Sequence, residues 1–147
     1  MRASDLVTEF PTVALDTPVG EAARLLAEQD LPGLIVVDER GRPLSILPGT
    51  QVLRLALPTY CIDDPALARV IDEAHADVFL RSLAGRTVRE ALPDKPRELP
   101  VTGPDATVLE LATLMARTHS PLVAVVDGGA LRGAVTLQAL VNRLIGQ

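Results

Sequence analysis

The stretch DTPVGEAARLLAEQDLPGLIVVD, residues 16 to 38, returns as DATVLELATLMARTHSPLVAVVD, residues 105 to 127. Setting Val19 against Val108 makes Asp16/Asp105, Glu21/Glu110, Ala23/Ala112, Leu25/Leu114, Ala27/Ala116, Pro32/Pro121 and Asp38/Asp127 identical. One small unit written twice predicts a pseudo-symmetric pair with clefts between its halves. That organisation puts binding ahead of chemistry as the first functional expectation.

Each copy carries the same succession of local signals. Short segments of helical character, Ala3 to Val7 and Thr87 to Leu92, precede Pro-containing extended stretches, Phe10 to Val13 and Glu98 to Val101, where proline disfavours helix. Thr17-Pro18 and the Thr107-x-x-Glu110 capping box then mark helix starts, with Thr17 able to cap and Pro18 suited to the first helical position. Val19, Ala22, Ala23 and Leu26 recur at helical spacing, as do Val108, Leu111, Ala112 and Met115. Pro32 and Pro121 stop these helices. The apolar runs Leu34 to Val37 and Val123 to Val126 read as strands covered on both faces. Leu44 to Leu47 and Leu131 to Val135 are the returning hairpin strands, and helices over Gln51 to Leu57 and Leu137 to Ile145 close the units, the second capped by Gly146. The predicted class is α+β: two repeats, residues 1–57 and 85–147, joined by a segment 58–84. In that segment Leu67, Val70, Ile71, Ala74 and Val78 line one face of an amphipathic helix, with Asp77 and Arg81 paired on the other. Such a helix is expected to pack on the repeat pair or on a second subunit.

Composition narrows the function. The chain has 147 residues, 48% hydrophobic but only 2% aromatic, and a formal net charge of −5. An aliphatic core fits one compact domain's worth of chain. Arginines scattered over an acidic chain, with Lys95 the sole lysine, do not make the basic stripe that a phosphate backbone requires, so no nucleic acid is expected as a partner. The longest apolar runs are far short of a membrane span, and no cleavable leader pattern opens the sequence; the expectation is a cytoplasmic protein without membrane insertion. Cys61 is the only cysteine, and His75 and His119 lack partners at metal-ligand spacing, so neither a disulfide nor a metal is expected.

The two copies, the second ending Leu131-Arg132-Gly133-Ala134-Val135-Thr136-Leu137-Gln138-Ala139-Leu140, resemble a tandem pair of CBS domains, a Bateman module. The resemblance implies a two-fold related pair of repeats, frequently a homodimer, whose clefts bind adenine nucleotides or related adenosyl ligands such as S-adenosylmethionine and thereby regulate an enzyme, channel or transporter. It implies no catalysis. In the family a Thr/Ser-x-x-Asp motif at the strand-to-helix turn contacts phosphate and ribose. Here Thr136 matches the hydroxyl position, while the Asp position is Ala139; in the first repeat the corresponding residues are Gly49 and Val52. The ligand-binding candidates implied by the resemblance are Thr136, Val135, Val101, His119, Ser120 and Pro121 in the second repeat, with Val13 and Thr50 in the first. For Thr136 the plain alternative is a helix cap; for His119 it is a solvent-exposed loop residue.

Other motifs carry less. Asp72-Glu73-Ala74-His75 spells a helicase metal-binding tetrapeptide, but no phosphate loop ending Gly-Lys-Ser/Thr accompanies it. Asp63/Asp64 and Asp72/Glu73 are carboxylate pairs in or beside the connecting helix, where charges are normally solvated. No serine, cysteine or lysine nucleophile has a base partner by spacing. The leading expectation is therefore a regulatory module that senses an adenosyl ligand. Its rival is a ligand-free dimeric scaffold or accessory subunit, favoured by Ala139 and Val52. A small enzyme would need a polar cluster assembled only by the fold.

Overall fold

The structure, a computed structural model, describes residues 1–56, 62–70, 81, 83–95 and 98–146. The first repeat runs α1 (Ala3–Leu6), β1 (Thr12–Ala14), α2 (Val19–Gln29), β2 (Gly33–Val37), β3 (Pro43–Pro48) and α3 (Gly49–Ala56). After α4 (Pro65–Ala68), the second runs α5 (Val88–Ala91), β4 (Val101–Thr102), α6 (Val108–Thr118), β5 (Leu122–Asp127), β6 (Ala130–Thr136) and α7 (Leu137–Gly146). This is the expected α+β order, with three-stranded sheets β1-β2-β3 and β4-β5-β6. In the second sheet β4 and β5 are parallel, Val101 opposite Ala124, and β5 and β6 form an antiparallel hairpin with Leu122 opposite Thr136.

The long helices end in the same way in both copies. Asp30 and His119 adopt left-handed φ values of 51° and 53°, closing α2 and α6 with amide bonds back to Leu26 and Met115. Their stop is therefore the left-handed cap, and Pro32 and Pro121 lie two residues beyond it, where they fix the entry into β2 and β5. The helix starts differ. Thr107 caps α6 by accepting the Glu110 amide at 3.2 Å. Thr17 does not cap α2: its hydroxyl accepts the Ala14 amide at 2.9 Å instead, and the N-cap position falls on Pro18. A tight turn after β1 thus takes the oxygen that sequence reasoning assigned to the helix.

The chain forms two compact units, one of Met1–Thr12, Ile35–Ile46 and Arg97–Gln147, the other of Val13–Leu34 and Leu47–Pro96. In the first unit the opening segment of the chain is built into the second repeat. The Ala3 amide donates to Ala106 O at 2.7 Å and Ser4 to Pro104 O at 2.9 Å, while Thr8 and Ala134 exchange both backbone bonds, at 3.1 and 3.0 Å. Ala3 is fully buried in a core with Ala106, Leu111, Met115, Val123, Val125, Val135 and Leu140. In the second unit the mirror arrangement holds: α5 packs against α2 and α3, with Val88 N donating to Thr17 O and Arg89 N to Leu15 O, both at 2.9 Å. Each leading helix thus serves the other repeat's helix start. A backbone donor left over at the first turn of a helix needs a partner, and these exchanged segments lie beside those turns.

Gly133 is where this exchange is sterically decided. Its φ is +147°, and a Cβ added there would lie 2.0 Å from the Thr8 carbonyl oxygen. Only glycine lets the opening segment approach β6 so closely.

The first hairpin turns on an aspartate. Asp38 Oδ1 accepts the amides of Arg40 and Arg42 at 2.9 Å each, and Arg42 Nε reaches Oδ2 at 3.2 Å. The Arg42 amide holds the Asp38 carboxyl below its usual range; desolvation, the next largest effect, opposes it, and the Arg40 amide, the Arg42 charge and the Arg42 side-chain hydrogen bond add to the lowering. A depressed folded-state pKa contributes stability that is present above the unfolded carboxylate pKa and is lost as pH falls through the folded one. Accordingly, an NMR titration is expected to find Asp38 with a midpoint below that of a free aspartate, a difference that Asp38→Asn removes from the acid limb of the stability curve. A midpoint at the ordinary value would contradict the turn geometry.

Of the connecting helix, α4 is described, its N-cap Asp64 accepting the Ala66 amide at 3.1 Å. Leu67 and Val70, expected on its apolar face, are exposed. Ile71, Ala74 and Val78, the Asp77 partner of Arg81, the Asp72 to His75 tetrapeptide and Cys61 lie outside the described residues.

Candidate ligand site in the second repeat

Thr136 is the last residue of β6, and α7 begins at once after it. The turn is closed on both sides: the Leu137 amide donates to Pro121 O at 2.8 Å, and the Ala139 amide donates to Thr136 Oγ1 at 3.1 Å. Thr136 is therefore a helix cap. Capping uses one lone pair of its hydroxyl, and the O–H remains a donor, so the cap is compatible with a bond to an anionic or hydroxylated ligand. Thr136 is partly exposed, as is Ala139, at the position where the resemblance implies a carboxylate.

The remaining candidates divide by exposure. Val101 on β4 is 46% exposed and is the open edge of its sheet. Val135 is fully buried, its side chain committed to the core, so any ligand would meet its backbone only. Ser120 is 5% exposed, and its hydroxyl is occupied locally, donating to Leu122 O at 2.8 Å and accepting the Leu122 amide at 3.3 Å. His119 is exposed at the left-handed cap. In the other unit, Val13 is buried and Thr50 is exposed in the first turn of α3. Val52, expected from the sequence at the first repeat's carboxylate position, is 4% exposed in that unit's core; β3 ends at Pro48 where β6 ends at Thr136, so the residues equivalent to Thr136 and Ala139 are Pro48 and Gln51 rather than Gly49 and Val52.

His119, Ser120 and Pro121 also line one end of a groove between α6 and α7, about 430 Å³ in volume, whose walls include Met115, Leu137, Val141 and Leu144. Sequence reasoning missed this groove, since it placed the three loop residues toward a polar ligand. The signal available was the second apolar stripe of α7, Leu137, Val141 and Leu144, which is more than one buried face needs. Among the described residues no group of three or more His, Cys, Asp or Glu could hold a metal ion, and no helix is long and apolar enough to cross a membrane.

The model of the CBS domain matches the chain twice, over residues 3–57 and 88–146. The chain belongs to the CBS-domain family. It is similar over 99% of both chains, at 51% identity and a TM-score of 0.88, to a CBS domain-containing protein of unknown function from Kribbella flavida. At 21% identity and a TM-score of 0.73 it shares its fold with the CBS-pair protein CBSX2 of Arabidopsis thaliana, covering 99% of this chain and 94% of that one. A structure of CBSX2 in complex with AMP matches at 22% identity and a TM-score of 0.67, over 99% and 96% of the two chains. No curated protein matches the sequence significantly. This CBS pair is therefore a member of a family whose modules are generally regulatory, and no enzymatic family is indicated.

Proposed function

We propose that this CBS pair is a ligand-sensing regulatory module whose working cleft is in the second repeat and whose ligand carries an adenosyl group. The observation that carries the reading is the Thr136 turn, where a partly exposed hydroxyl capping α7 keeps a proton to donate. The AMP complex of the distantly similar CBSX2 supports the ligand class. Thr136, Val101, His119 and the backbone of Val135 are the contacts proposed; Val13 and Thr50, beside a buried Val52, belong to a repeat without the hydroxyl-carboxylate pair. A ligand changes such a module's contacts with an enzyme or transporter only if it binds one arrangement of the protein better than another.

Thermal-shift measurements with AMP, ADP, ATP and S-adenosylmethionine test the reading, because ligand binding to the native state raises its melting temperature. The unaltered chain is expected to shift at millimolar ligand and Thr136→Val to lose the shift. Ala139→Asp, which restores a carboxylate acceptor, is expected to tighten binding by roughly tenfold to a hundredfold, the equivalent of ~1.5–3 kcal/mol for a hydrogen bond to a charged group. Absence of any shift in the unaltered chain, with one appearing only in Ala139→Asp, would replace this reading with the second one: a pair that has given up its ligand and acts as a dimeric interaction or accessory subunit.

The same proposal includes a homodimer built on the apolar groove of α6 and α7. Leu137, Leu144 and Ile145 are 47%, 61% and 78% exposed in the single chain. Apolar side chains in adjacent rows on helix faces are covered most simply by the same rows of a second copy.

A further inference from the structure

The opening segment of the chain is held in its unit by main-chain bonds and by the side chains of Ala3, Leu6 and Val7. Ala3 and Ser4 donate to Ala106 and Pro104, Thr8 and Ala134 exchange two bonds, and the Arg2 guanidinium donates to the Asp105 carbonyl. One small side chain, Ala3, is fully buried; Leu6 and Val7 are partly buried, and Arg2, Ser4, Asp5, Thr8 and Glu9 are exposed. Its release therefore exposes little apolar surface compared with opening the hairpin core, which places it at the low end of local opening free energies. Backbone pairing of this kind is the bonding by which a sheet edge takes up an added segment.

The slot is a particular feature of the second repeat. Counting from α1 and α5, the position equivalent to Thr8 is Pro93, which has no amide to donate, and in the strand before the last helix of the first repeat the position equivalent to Gly133 is Ser45, which carries a Cβ. The glycine and the free amide occur together once in the chain, at the place where the two segments meet. Pro11 follows the segment and favours an extended connection, and Phe10, 8% exposed, anchors the chain beyond it.

We propose that the slot over Gly133 and Ala134 is an acceptor site for a peptide segment that pairs through its backbone, and that its exchangeable occupant is residues 2 to 8, α1 included, of a second copy of this chain. An identical segment meets identical contacts, so exchange alters only the connection through Glu9 to Pro11, the circumstance in which segment swapping costs least. The exchanged dimer is distinct from the groove-based one, because it survives loss of the α6/α7 contact.

Thr8 and Ala134 are a hydrogen-bonded antiparallel pair, whose Cα separation of about 5.5 Å is within disulfide reach. Chains carrying Thr8→Cys or Ala134→Cys, each with Cys61→Ser, are mixed, incubated and oxidised. The expected result is a mixed disulfide dimer at least tenfold above that formed when Thr8→Cys is mixed with a chain carrying Thr113→Cys on the exposed face of α6. A yield no greater than the control overturns the proposal. Should the cysteine chains fail to fold, hydrogen exchange on the unaltered protein decides instead. Thr8 and Ala134 amides exchanging well ahead of Val123 and Val125 sustain an exchangeable segment, and exchange only at the global rate overturns it.

Discussion

Gly133→Ala is expected to destabilise the protein by about 2–4 kcal/mol, a lowering of the melting temperature by roughly 5–15 °C for a chain of this size. Two effects add. The φ of +147° is a conformation that side-chain-bearing residues rarely adopt, and the new Cβ would fall 2.0 Å from Thr8 O and 2.9 Å from Thr8 C. The neighbour is backbone, so no flexible side chain end can swing aside. Relief requires either displacement of the opening segment, with loss of both Thr8–Ala134 bonds, or distortion of the β5-β6 ladder at the Val125/Val126 bulge beside it. Gly41, φ +78° in the first hairpin turn, is the control: a Cβ there meets nothing within 4 Å, so Gly41→Ala carries the backbone cost without the clash. Calorimetry of the two variants separates the terms, and equal melting temperatures would show that the close approach at Gly133 is not maintained in solution.

How much of this was readable in the sequence depends on the range of the interaction that fixes each feature. The helices and the paired strands follow from periodicity within each copy, and their bounds agree within a residue or two, because the apolar spacing of Val108, Leu111 and Met115 and the run Leu122 to Val126 admit few other folds. The exchange of α1 and α5 was not readable. A helix of four residues has no strong period of its own, and its partner is chosen by main-chain bonds, such as Ala3 to Ala106, that leave no mark on side-chain identity. Gly133 was the one trace, an isolated glycine in a strand pattern. Thr17 was misassigned for a local reason: an oxygen that caps in the pattern Thr-x-x-Glu at Thr107 is drawn back into the β1 turn when proline follows it. At the candidate site the resemblance located Thr136, and the bond from Ala139 establishes its capping role; the groove beside it was missed because the loop at His119 to Pro121 was read by its polarity and not by the helices it joins.

Val141→Arg with Leu144→Arg is expected to weaken self-association by at least about 100-fold, ~2.7 kcal/mol, while leaving each monomer folded. Both side chains wall the α6/α7 groove, Leu144 is largely exposed, and Val141 only partly buried, so neither is a core residue of the single chain. A cation at position 144, in the last turn of α7, is favoured by the helix dipole, which partly offsets the loss of apolar contact within the monomer. In a groove-based dimer the same two guanidinium groups would have to be buried against an apolar wall, and near a two-fold axis they would face their own copies. Sedimentation velocity of the unaltered chain should give a dimer at micromolar concentration with a melting temperature that rises with concentration, and the double variant a monomer whose melting temperature does not. A monomeric unaltered chain, or a double variant that remains dimeric, would remove the groove from the interface. Combined with the mixed-disulfide experiment, the double variant also distinguishes the two associations: segment exchange through Gly133 persists in it, whereas contact through α6 and α7 is lost.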